Sequence, residues 1–482
     1  MDGPNVLFIV MDTSRANIAL NEEVMPTVAS IADEGATFEN AFTTAPWSLP
    51  SHASIFTGQY SSHHNTHAGS TQFNPDVSPL AEVFAQENYE TRAISNNIWI
   101  SPEFGFDRGF QSFQKGWQLV DGGADIGQIS KEQDTRADQV RAIADELLRI
   151  DAPKTIINSL FALFVRKRYD SGAWLTNKRL FRWLQSRDNS QSFFAFLNYL
   201  EPHLPYDPPE NAIKQINGSE ADTERMRSVP QDAWDHFAGD LELTDRDFDD
   251  LKTLYAAELR YLDSRIESVY EKLDEVGILD DTILVITGDH GENIGDHDLM
   301  DHQYSLHDTL LHVPLIIRYP EAFDPGSEYE QSVELRDLYP TLLDLCNIET
   351  SLDATQSDRN IATEEGSGYT LGEYLTPQPA METLEDRFGN LSERVRAHDR
   401  SLASIRTQDW KLIIGSDGSE LLYDLQTDPD ERHDVREDHE DVVTELRDQM
   451  PEPIKNVEEK SESEDRNVGS RTEQRLEDLG YL

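Results

Sequence analysis

Residues 5–12 read NVLFIVMD, an apolar run that stops without transition at Asp12. Two later stretches repeat the design, FFAFLNYLEPH at 193–203 and TILVITGDH at 282–290. None of them alternates apolar with polar side chains, so each strand must be covered on both faces, as in a largely parallel sheet packed between helices. Helical periodicity fills the intervals, for example over 26–35, 80–88 and 248–276. Strands alternating with helices predict an α/β fold, a large mostly parallel sheet flanked by helices.

The ends of these runs carry the chemistry. Ligands of open α/β sheets bind beyond the carboxyl ends of the strands, which are here Asp12, His203 and the pair Asp289 and His290. Two carboxylates and an imidazole arriving at one edge suit one divalent cation. Their oxygen-rich donor set puts Ca²⁺ first, with Mn²⁺ or Mg²⁺ as alternatives. Residues 44–58, TAPWSLPSHASIFTG, supply the second element. Pro50 suits a first helical turn and Gly58 a helix stop, which leaves Ser48 just before a helix N-terminus. Unpaired N–H groups there favour a tetrahedral anion. A serine hydroxyl becomes a nucleophile once a metal stabilises its alkoxide.

Beyond residue 348 the texture changes. Residues 349–368 are polar and acidic, like a linker. Residues 404–414 (SIRTQDWKLII) and 420–425 (ELLYDL) alternate like antiparallel strands, and 437–450 has the pattern of an amphipathic helix. The expected organisation is a catalytic α/β domain over 1–348, a connecting segment over 349–400, and a C-terminal α+β subdomain with a small antiparallel sheet over 401–482. Residues 451–472 are highly charged and read as mobile.

The formal net charge of the 482 residues is −51. Such a surface repels itself at ordinary ionic strength. At molar salt the screening length falls to about 3 Å, so the composition points to a salt-rich cytoplasm of the kind found in extreme halophiles. The same charge excludes a nucleic-acid partner, which needs a basic footprint. Cys346 stands alone, so neither an intrachain disulfide nor a cysteine zinc site is available. Strand-like sequence from residue 5 leaves no signal peptide to read. No apolar run reaches the roughly 20 residues of a membrane helix; residues 155–165 (TIINSLFALFV) read as a packed helix. A cytoplasmic location is expected. Oligomeric state is not legible.

Five segments in order resemble one known family: IVMDTSR (9–15), SLPSHASIFTG (48–58), NYLEPHLPYDPP (198–209), GDHGE (288–292) and HQYSLHDTLLHVPLIIRYP (302–320). The C-terminal stretches IRTQDWKLI, LYDLQTDPDE and LEDLGYL extend the likeness to residue 482. Together they resemble the sulfatases of the alkaline phosphatase superfamily. The resemblance implies a hydrolase of sulfate esters, arylsulfatase-like, with residue 48 as nucleophile and a small-molecule or glycan ester as substrate.

It further implies that Asp12, Asp289 and His290 ligate the metal, with the oxygen of Ser48 completing the site. His52 stands where the family signature has Arg. His203 would bind the ester oxygens or protonate the leaving group, and His302 falls near the family's sulfate-binding lysine. Arg15 would stabilise the anion, and Glu292 would orient a ligand. His307 and His312 read as surface or helix-packing residues, and His63, His64 and His67 as a polar loop. Sulfatases carry formylglycine made from Cys or Ser. Position 48 is Ser and residue 13 is Thr, where many members have a second metal-binding Asp. Formylglycine and unmodified serine both stay open at position 48. An unmodified serine makes phosphomonoester or phosphodiester hydrolysis, or phospho-group transfer, the alternative activity.

Overall fold

A computed structural model describes residues 3–118, 170–188, 190–218, 222–363, 366 and 368–455. The expected helix over 155–165 and the final motif LEDLGYL lie outside these residues, as does most of the charged stretch 451–472.

The main sheet contains β1 (Asn5–Met11), β2 (Ala36–Phe38), β3 (Glu90–Ser95), β4 (Ser112–Lys115), β5 (Phe193–Tyr199), β6 (Thr282–Gly288), β7 (Leu315–Arg318) and β8 (Ser327–Tyr329). Their order across the sheet is β8-β2-β7-β6-β1-β5-β3-β4. Only β7 runs against its neighbours; all other pairs are parallel. The expected large, mostly parallel sheet flanked by helices is therefore present.

β1 shows why the apolar runs do not alternate. Val6, Phe8 and Val10 enter one hydrophobic core, whereas Leu7, Ile9 and Met11 enter a second core on the opposite face. Successive side chains point to opposite faces of a strand, so a strand buried on both sides must be apolar throughout.

The helices flanking the sheet include α1 (Pro26–Asp33), α2 (Ser48–Thr57), α3 (Ala173–Ser186) and α4 (Asp245–Glu275). A capping box formed by Thr244 and Asp247 starts α4, satisfying N–H groups that the first turn leaves unpaired. Leu251, Leu254, Leu262, Ile266, Val269 and Leu273 form its buried stripe, at the three- and four-residue spacing that packs a helix face. α2 begins at Ser48 itself, because Trp47 is extended while Gly58 closes the helix at φ 72°.

A second, antiparallel sheet holds β9 (Tyr369–Tyr374), β10 (Leu402–Thr407), β11 (Trp410–Gly415) and β12 (Glu420–Asp424), in that order. Residues 404–414 thus fall in a hairpin of two strands. The first strand of the sheet comes from the segment read as connecting sequence, since Tyr369–Tyr374 pairs with Leu402–Thr407. Val443 and Leu446 of α5 (Glu440–Gln449) pack on this sheet with Ile405, Leu412 and Leu422. A buried ion cluster ties the sheet to the rest: Lys411 Nζ lies 2.6 Å from Asp308 Oδ1 and 2.8 Å from Glu431 Oε1.

Candidate active site

The carboxyl ends of β1, β6, β3 and β5 converge beside the N-terminus of α2. Asp12 follows β1 directly, and Tyr255 of α4 fixes the turn beyond it. The Tyr255 hydroxyl donates to the Thr13 carbonyl at 2.7 Å and accepts from Arg15 N at 2.9 Å. Thr13 adopts φ 56°, an unusual conformation for a β-branched residue, and its N–H donates to Asp289 Oδ1 at 3.1 Å. The turn after β6 passes tightly beneath: a Cβ on Gly291 would collide with the Thr309 carbonyl.

Asp12, Asp289 and His290 are buried, and their ligand atoms lie within 4.8 Å of one another. His290 Nδ1 donates to the Gly291 carbonyl at 2.9 Å, leaving Nε2 toward Ser48 Oγ at 3.1 Å. Burial holds the His290 pKa well below the ordinary imidazole value, with His302 adding to the depression. Burial, and next the Asp289 charge, push the Asp12 pKa well above the usual carboxylate range. Among the described residues, Asp12 Oδ1 and Asp289 Oδ2 make no hydrogen bond. Buried carboxylate oxygens of this kind require a compensating cation, and with a neutral imidazole they form a donor set that fits one divalent metal.

Asn97 completes the surroundings of Ser48, and the sequence reading missed it. Its side-chain amide lies 2.5 Å from Asp12 Oδ2 and 2.9 Å from Ser48 Oγ, donating to both. The signal was present: residues 96–97 follow β3 as Asp12 follows β1, at the same edge of the sheet. Asn198, also missed, accepts from Asn97 N at 3.1 Å through Oδ1.

His52 lies behind the nucleophile and is fully buried. Its Nδ1 donates to the Ser48 carbonyl at 2.9 Å, and Asn198 Nδ2 lies 3.4 Å from its Nε2. Burial lowers its pKa, so a neutral His52 anchors the first turn of α2. His203 and His302 face each other with ring centroids 5.2 Å apart, and His302 lies 4.4 Å from the His290 ring. Burial brings the His203 pKa down to about 4. His302 contacts the Asp301 carboxylate and lies 3.6 Å from Glu292 Oε1.

Arg15 has an acidic neighbour. One of its guanidinium nitrogens, Nη1, donates to Asp296 Oδ2 at 2.8 Å and to the Glu292 carbonyl at 3.3 Å. His307 is not a surface residue. It is buried against the C-terminal sheet, with Nε2 3.1 Å from the Tyr423 hydroxyl. His312 stacks on Phe42 and reaches the Glu39 carbonyl at 2.7 Å.

The Sulfatase family model matches residues 4–348, which include every residue of this site. The chain belongs to the sulfatase family. Its fold is the alkaline-phosphatase-like fold of that family, and as a sulfatase it is a sulfuric ester hydrolase. Arylsulfatase K of Bos taurus is 23% identical over 482 residues, spanning 92% of this chain and 80% of its own. The N-acetylglucosamine-6-O-sulfatase of Bacteroides thetaiotaomicron is 24% identical over 487 residues, spanning 90% and 82%. Among solved structures, a protein in complex with its substrate D-glucosamine-2-N,6-O-disulfate superposes with a TM-score of 0.65 at 18% identity, covering 96% of this sulfatase and 100% of that chain. A phosphonate monoester hydrolase of Agrobacterium radiobacter also gives 0.65, at 20% identity, covering 92% and 96%.

Proposed function

We propose that this sulfatase cleaves a small-molecule or glycan sulfate ester with residue 48 as nucleophile and Asp12, Asp289, His290 and Ser48 as the holders of one divalent cation. The observation that carries the reading is the convergence of two buried carboxylate oxygens, without a hydrogen bond among the described residues, and a neutral imidazole nitrogen beside the Ser48 hydroxyl. Bound there, the cation would favour the alkoxide of Ser48 and offset negative charge developing on the ester oxygens. Ca²⁺ is the first choice, and Mn²⁺ or Mg²⁺ suit the same donors.

The chain's own groups divide the remaining work. Asn97 orients Ser48 and Asp12 by donating to both. The N-terminus of α2 presents N–H groups to the anionic ester. His52 holds the Ser48 backbone at the start of α2. His203 and His302 stand as the pair that meets the outer ester oxygens, and His302, whose pKa the Asp301 carboxylate raises against the effect of burial, supplies a proton to the departing alcohol. The excess of acidic side chains supports operation in molar salt, and a salt-rich cytoplasm is the compartment that matches it. Among the described residues no helix is long and apolar enough to cross a membrane.

One observation favours a second reading. Residue 48 is a serine, and residue 52 is His where the family signature has Arg, which favours a serine left unmodified. Unmodified, it suits phosphoester hydrolysis or phospho-group transfer on the same scaffold, whereas formylglycine at this position suits sulfate. Purified protein assayed in molar salt on nitrophenyl sulfate and nitrophenyl phosphate, with and without Mn²⁺ or Ca²⁺, separates them. Faster metal-dependent turnover of the sulfate supports the first reading and faster turnover of the phosphate the second. Absence of metal-dependent turnover on either ester refutes both.

A further inference from the structure

The segment that carries His203 follows β5 as LEPHLPYDPP, residues 200–209. Its prolines at 202, 205, 208 and 209 supply no N–H, so it cannot close into a helix or ladder of its own and depends on anchors from outside. His203 N donates to the Leu200 carbonyl at 2.8 Å, and His203 Nδ1 to the Leu204 carbonyl at 2.6 Å. The imidazole is aimed by the backbone beside it, and a shift of that backbone moves the ring.

Two buried carboxyl groups hold the segment, one near each end. Glu201 Oε1 accepts from Ser171 N at 3.0 Å and from Ala173 N at 3.4 Å. That contact ties the start to the N-terminus of α3, where helical N–H groups need an acceptor. Glu258 Oε1 accepts from Asp207 N at 2.9 Å and ties the far end to α4. Between them, Gln231 brackets Tyr206 through both of its backbone groups. Burial, and next the Asp170 charge, push the Glu201 pKa well up, and burial raises that of Glu258 to about 8. At neutral pH both groups are therefore held mainly as neutral acceptors, a form that glutamine reproduces. Glu258 stands three residues after Tyr255, on the same face of α4. Tyr255 holds Thr13 and Arg15 through its hydroxyl, and its ring meets Tyr206 edge-on with centroids 5.6 Å apart. One helix face thus sets the turn after Asp12 and the His203 segment against each other.

We propose that Glu201 and Glu258 are positioning residues of the reaction, which clamp the two ends of the His203 segment so that its imidazole meets the ester oxygens. The inference rests on the proposed role of His203 and deepens it. Neither carboxyl group touches the substrate, and each acts through the backbone that aims the ring. Displacement of a working group by about 1 Å costs roughly a hundredfold in rate, so such anchors reach the chemistry from a distance.

Full-length protein with its divalent cation, in molar KCl at neutral pH, is assayed on whichever of nitrophenyl sulfate and nitrophenyl phosphate it turns over, and circular dichroism melting accompanies each variant. Glu201→Met and Glu258→Met keep the volume without the acceptor, and each should lower kcat/KM by roughly 10–100-fold. Glu201→Gln and Glu258→Gln keep the acceptor and should stay within a few-fold of wild type. Changes that act through one residue do not add, so in a His203→Ala background the methionine substitutions should cost less than about twofold. An undiminished cost in that background, or wild-type kcat/KM in the folded methionine variants, overturns the clamp. Loss of folding in both methionine variants overturns it as well and makes the two groups structural. Wild-type turnover by His203→Ala removes the role of His203 and this inference, and leaves Ser48 and its cation site standing. Absence of metal-dependent turnover by wild type removes the proposed function too.

Discussion

Ser48 Oγ and His290 Nε2 lie 3.1 Å apart, although 242 residues separate them in the chain. The contact exists because Ser48 opens α2 while His290 ends the turn after β6, and because the Gly291 carbonyl takes the other ring nitrogen. The nitrogen facing the hydroxyl is therefore the one with the lone pair.

Metal affinity should depend on Asp289 more than on any residue outside the cluster. Loss of an outer partner of a ligand costs roughly 10–100-fold in affinity, and Asp289→Asn should cost at least that. Calorimetric titration with Mn²⁺ checks it. Affinity within a few-fold of wild type would remove Asp289 from the ligand set.

Asn97→Ala should lower kcat by roughly 10–100-fold, because Ser48 loses its donor and the hydroxyl is no longer held. It also strips Asp12 Oδ2 of its hydrogen bond, a cost of about 1–3 kcal/mol for a buried acceptor. Steady-state kinetics together with thermal melting separate the two effects. A kcat like that of wild type would make Asn97 purely structural.

Glu258, buried on α4, has its pKa raised to about 8, mainly by burial. Its protonated form is favoured in the folded state, so the stability it contributes is complete below the unfolded carboxylate range and is lost as pH rises toward 8. Glu258→Gln keeps an acceptor for the Asp207 N–H, which lies 2.9 Å from Glu258 Oε1. The variant should melt a few degrees higher than wild type at pH 9 and no higher at pH 4. Equal melting temperatures at pH 9 would contradict the shift.

Lys411→Met should destabilise the C-terminal sheet and its docking. Lys411 is fully buried between Asp308 and Glu431, and removing one partner of a buried ion cluster costs about 3–5 kcal/mol. Thermal melting measures this loss. A change below about 1 kcal/mol would mean that the cluster is balanced from elsewhere.

Much of the site is legible because strand ends announce themselves. Asp12, Asp289 and His290 each follow an uninterrupted apolar run, and parallel topology gathers such ends at one edge. Asn97 is harder to see because β3, ETRAIS, mixes polar and apolar residues, so its carboxyl end has no sharp boundary. Asp301 and Glu292 come together through a turn with positive φ at residue 301, which no hydrophobic pattern encodes. Motif position carries no sign that Arg15 meets Asp296, 281 residues away. The strand Tyr369–Tyr374 is short and contains Gly372, so it merges with the linker until its partner strand is known.

The most direct test of the central claim is single-turnover kinetics of Ser48→Ala on nitrophenyl sulfate, with the cation present and folding verified by melting. A residue that attacks the ester should not be replaceable, and the account predicts a loss of roughly a thousandfold or more in the chemical step. A rate within tenfold of wild type would contradict it and move the nucleophile elsewhere.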